Sequence, residues 1–107
     1  MNILINVLSN RQVELSNSTL GFVDEMNIND IVLNVLDSSL PEMNWYLRIR
    51  NDLFLFTDGK LRIDRRLTAK AGLYVCQIVG SDAQENQDVS TGRHLYKSNY
   101  FELEVAK

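Results

Sequence analysis

The chain of 107 residues has one cysteine, one histidine, one proline and five glycines. Each scarcity removes a class of explanation. A single cysteine, Cys76, excludes an intramolecular disulfide and fits a reducing compartment. With one histidine and one cysteine there is no set of soft ligands for a transition metal. So few glycines and prolines exclude a linker-rich or disordered chain. No apolar run approaches the ~18 residues of a membrane span. The apolar start, Met1 to Leu8, has no basic residue ahead of it and is broken by Asn6, so it reads as a strand rather than a signal peptide. The chain is therefore expected to be made in the cytoplasm without a signal peptide, as one domain over residues 1–107.

The net charge is −3, which argues against nucleic-acid binding through a general basic surface. The charge is unevenly spread. Residues 1–42 carry one base against six acids, a net of −5, whereas residues 60–70 carry Lys60, Arg62, Arg65, Arg66 and Lys70 against Asp64, a net of +4. The basic run reads either as the outward face of a strand or as a docking patch for an acidic surface.

Hydrophobic patterning has period two. Trp45 to Arg50, Leu61 to Asp64 and Phe101 to Val105 alternate apolar and polar residues, the pattern of strands covering a core on one side. Three other runs are apolar on both faces: Ile31 to Leu36, Leu53 to Phe56 and Leu73 to Val79. A two-sheet sandwich has one inner face per sheet, so their outer apolar residues must be covered by loops or by a partner. Turn signals fall between the runs at 37–41, Asn51-Asp52, Asp58-Gly59 and 68–72. Segments at 11–15 and 20–28 are further strand candidates. A polar run from Gly80 to Gly92 precedes the last strand.

Gly72-Leu73-Tyr74-Val75-Cys76, with Trp45 upstream, resembles the immunoglobulin-like fold. There a Tyr two residues before a Cys on strand F forms the tyrosine corner, and a strand-C Trp packs over that Cys. The resemblance implies an all-β, immunoglobulin-like antiparallel β-sandwich of about seven strands with no disulfide. Residues 31–36 would be strand B, 45–50 strand C, 61–63 strand E, 73–79 strand F and 100–105 strand G. Leu33 takes the place of the first cysteine. Leu33, Trp45, Tyr74 and Cys76 are then structural core markers, with the Tyr74 hydroxyl capping a nearby backbone group. Lys70 departs from the pattern, which often has an acid at that position. More loosely, Ala71 to Ile78 and Lys97 to Val105 resemble the N-terminal domains of tail and baseplate proteins of phages infecting Gram-positive bacteria, such as baseplate upper proteins. That resemblance implies assembly in a virion and carries no catalytic residue.

No nucleophile–base–orienter set is readable. Cys76 is expected in the core and His94 at the end of a loop. Asp82, Glu85 and Asp88 lack the spacing of a calcium loop. No Gly-rich phosphate loop exists, and nothing marks a carboxylate pair. The expectation is a non-enzymatic assembly protein without cofactor. It would dock to protein partners, through self-assembly into a ring or with other virion proteins, using its sheet faces and the patch Lys60, Arg62, Arg65, Arg66 and Lys70. The alternative is a monomeric recognition domain binding a protein or carbohydrate through the 80–92 loop. Neither nucleic acid nor membrane is an expected partner.

Overall fold

The computed structural model describes residues 2–23, 30–83, 88, 92 and 94–107. Alternating side chains build ten strands among them: β1 (Ile3–Val7), β2 (Val13–Leu15), β3 (Thr19–Phe22), β4 (Asp30–Val35), β5 (Asn44–Ile49), β6 (Asp52–Leu55), β7 (Lys60–Arg62), β8 (Gly72–Ser81), β9 (Leu95–Lys97) and β10 (Phe101–Ala106). A 3-10 turn covers Ser9–Arg11 and one helical turn, α1, covers Arg65–Thr68. The strands form two sheets. One has the order β2-β1-β4-β7; the other has β3-β10-β8-β5-β6, with β9 also pairing β8.

The chain is an all-β sandwich with no disulfide; Cys76 is free and buried. β4 pairs with β7 in one sheet, and β5, β8 and β10 are neighbours in the other. Ten strands replace the expected seven or so: the candidate segments at 11–15 and 20–28 supply β2 and β3, and β9 forms ahead of the last strand. Pairing is antiparallel except for β1 with β4 and β3 with β10, which run parallel.

The core lies between the sheets. Ile3, Ile5, Val7, Ile31 and Leu33 face it from one side, and Leu47, Ile49, Cys76, Ile78 and Leu103 from the other. Leu33 and Cys76 belong to this one cluster, where two apolar side chains do by packing what a cross-link does elsewhere. The hairpin turn Thr57–Lys60 uses Asp58 (φ 52°) and Gly59 (φ 75°), two successive left-handed positions, which suits the right-handed twist of paired strands.

The break between β9 and β10 is a bulge. Val79 pairs with Lys97 and Cys76 with Phe101, so three steps on β8 face four on its partner. Ser98 stabilises it: its Oγ accepts from the Ile78 amide at 2.9 Å and donates to the Asn99 carbonyl at 2.9 Å. The Gln77 side-chain amide donates to the Ser98 carbonyl at 2.9 Å. From the 3-10 turn, Arg11 Nη1 donates to the Lys97 carbonyl at 3.2 Å. The bulge leaves Tyr100 outside, 69% exposed.

Candidate functional site

The structure separates the basic residues of 60–70. Lys60 and Arg62 lie on the outer face of β7, and Arg62 Nε reaches Asp30 Oδ1 of β4 at 3.3 Å. Arg65 and Arg66 are not on a strand: they open α1, whose N-cap is Asp64. The Asp64 carboxylate accepts from the Arg66 amide at 2.9 Å and from Arg66 Nε at 3.0 and 3.1 Å, which lowers the Asp64 pKa, mainly through the side-chain bond to Arg66. Arg66 also lies over the Phe54 ring, 5.4 Å from its centroid. Two of the five cations thus have acidic partners within the chain. Lys60, Arg65 and Lys70 make no ion pair among the described residues.

Lys70 lines a shallow cleft with Arg50, Asp52, Phe54, Arg66 and Tyr74. The Tyr74 hydroxyl donates to the Lys70 carbonyl, a side chain tying its own strand to the turn before it. The Arg50 guanidinium sits 4.4 Å from the Tyr74 ring centroid, within cation–π range. Trp45 is half-buried and meets Tyr96 of β9 edge-on, with centroids 5.5 Å apart. It also lies on Gly80: a Cβ there would come within 2.7 Å of the indole, so the strand needs glycine at this crossing.

Cys76 is 1% exposed, and burial pushes its pKa up to about 12. At neutral pH it is a packed thiol, not a thiolate. His94 precedes Leu95, which pairs with Ser81, so it sits beyond the far end of β8, about six strand residues or ~20 Å from the level of Cys76. Its amide donates to Asp82 Oδ1 at 2.9 Å. Glu85 and most of the 80–92 loop lie outside the described residues, so the grouping of Asp82, Glu85 and Asp88 and the loop-based recognition site fall outside what the structure describes.

The surface feature that stands out is the outer face of the six-stranded sheet. β8 alternates Tyr74, Cys76 and Ile78 inward with Leu73, Val75, Gln77 and Val79 outward. Val79 is covered, but Leu73 is 65% and Val75 56% exposed. Leu53 and Leu55 of β6 are exposed on the same face. On one side of β8, β5 brings Arg48, half-buried, with its Nε on the Arg50 carbonyl at 3.1 Å. On the other side, β10 brings Glu102 opposite Val75 and Glu104 opposite Leu73, both exposed. The doubly apolar composition of 73–79 is the sequence signal for this face. Its charged borders were hidden, because they depend on which strands flank β8. Comparison with protein-family models, with curated proteins and with solved structures finds no match for this chain.

Proposed function

We propose that this domain is a non-enzymatic docking module that binds a protein partner through the outer face of its six-stranded sheet. One observation carries the reading: Leu73 and Val75, side by side on the central strand, remain more than half exposed although the strand from Cys76 to Ser81 is buried. Apolar side chains grouped on a flat, regular face are the usual mark of an association surface. The short motifs at 71–78 and 97–105 support placing that docking in a phage tail or baseplate. Detection of the chain in purified virions by mass spectrometry tests that placement; its absence there removes the virion and leaves the docking.

The docking itself is tested by the double substitution Leu73→Ser and Val75→Thr. If the two side chains await a partner, the melting temperature stays within a few degrees of the parent, since exposed residues contribute little to folding. Retention on a hydrophobic-interaction column should fall clearly. A melting temperature lower by about 10 °C or more assigns these side chains to the fold of the monomer and removes the docking reading.

A further inference from the structure

We infer that the partner on this face is a second copy of the same chain, related by a twofold axis that runs along β8. The inference rests on the docking reading above and adds the identity of the occupant.

The argument is one of register. β8 is flanked by β5 on one side and β10 on the other, each ~4.8 Å away. Arg48 stands on β5 opposite Gln77, and its side chain leans toward Arg50, at the end of the strand. That lean carries the guanidinium toward the level of Val75, which is also the level of Glu102 on β10. The face therefore has a basic border, an apolar centre and an acidic border, in that order across three adjacent strands. Rotation by 180° about an axis along β8 exchanges the borders. The arginine side of one copy then lies over the glutamate side of the other, twice, while Leu73 and Val75 meet their own counterparts on the axis. A twofold axis running across the strands instead lays arginine on arginine. The surface is thus self-complementary for one symmetry and self-repelling for the other, as an isologous interface requires. Tyr100, pushed outward by the bulge beside Val75 and Gln77, adds an aromatic side chain to the same area.

Size sets the strength. Four inter-strand spacings and about six residues of strand length outline roughly 400 Å² per copy. A standard-sized interface takes about 800 Å² from each partner. The dimer should therefore be weak and concentration-dependent, and its charged borders should make it weaker still in salt.

Sedimentation of the full chain from about 10 μM to about 1 mM, at low and high salt, tests this. The parent should move from monomer to dimer within that range, with association reduced by salt. Arg48→Glu and Glu102→Lys should each weaken self-association about tenfold or more, because each places like charges on one another at both borders. Mixed in equal amounts, the two variants should recover a heterodimer of near-parent strength, since Glu at 48 then faces Lys at 102 and the remaining Arg48 faces the remaining Glu102. Circular dichroism melts check that both variants are folded. If Arg48→Glu melts early, Leu73→Asp on the axis replaces it, and the same loss is expected. A parent that stays monomeric throughout, a mixture no more associated than its components, or unchanged association in Leu73→Asp overturns the second copy as occupant. None of these results alters the melting and retention behaviour of the Leu73→Ser, Val75→Thr variant, so the broader docking reading stands or falls separately.

Discussion

The two sheets of this sandwich share one core but treat their outer faces in opposite ways. On the four-stranded sheet, Glu14, Asn6 and Asn34 lie on one rung across β2, β1 and β4. Asn34 Nδ2 donates to Asn6 Oδ1 at 3.1 Å, and Asn6 Nδ2 donates to Glu14 Oε1 at 3.2 Å. At the other end of β4, Asp30 takes Arg62 as its ion partner. This face pairs much of its polar surface internally. On the six-stranded sheet the charges border an apolar strip instead of pairing across it. A sheet covered on both sides needs apolar residues on both, whereas a half-covered sheet alternates. β10 alternates and β8 does not, although they are neighbours, so the surplus is local to the central strand.

The comparison is sharpest within β8 itself. Ile78 faces the core with no exposed surface, and Val75 faces outward at 56%. Ile78→Ala removes buried methyl groups and leaves a cavity, at a cost of about 3 kcal/mol. Val75→Ala should cost less than about 1 kcal/mol, mostly strand preference. Urea unfolding of the two variants at a concentration where the chain is monomeric measures the difference. Equal losses would mean that the outer face is packed after all, and the contrast between sheets would disappear.

Tyr74 gives the next largest effect. It is buried on the inner side of β8, and its hydroxyl is bonded to the Lys70 carbonyl. Tyr74→Phe keeps the ring and its contact with Arg50 but removes the donor, so a loss of about 1 kcal/mol is expected. A similar loss on removing the exposed Tyr100 ring from the monomer would show that Tyr100 is not free to serve a partner.

These residues also show what a sequence reveals. Tyr74, Cys76 and the alternation of Phe101 to Val105 were readable because they obey local rules, a fixed spacing before a cysteine and period two on a half-covered strand. The surplus of Leu73 and Val75 was readable as well, as composition. The parallel pairing of β1 with β4 was not, since it joins segments 28 positions apart through apolar side chains that suit several partners. Arg62 looked available because Asp30 is distant in sequence, and only the β4–β7 pairing brings them together. Arg65 and Arg66 were read with a strand face. The competing signal was present in Asp64, a residue suited to an N-cap, but a four-residue helix leaves no periodicity to detect. The charged borders of the candidate face depend on strand order, which period two does not encode.

The smallest effect tests what the polar rung of the four-stranded sheet is for. Asn6→Val with Asn34→Val deletes both side-chain hydrogen bonds of the rung. These are exposed bonds in competition with water, so each contributes a fraction of a kcal/mol. Valine is the better strand former by a similar amount. The two terms offset, and the unfolding free energy should stay within about 0.5 kcal/mol of the parent. The surface changes far more than the stability, because the two substitutions extend the apolar pair Leu4 and Val32 into a strip resembling that of β8. The double variant should therefore associate more readily than the parent, through its four-stranded sheet. If instead it remains as soluble as the parent and loses more than about 2 kcal/mol, the rung is there to hold β1, β2 and β4 in register, and the difference between the two outer faces is one of stability rather than of partners.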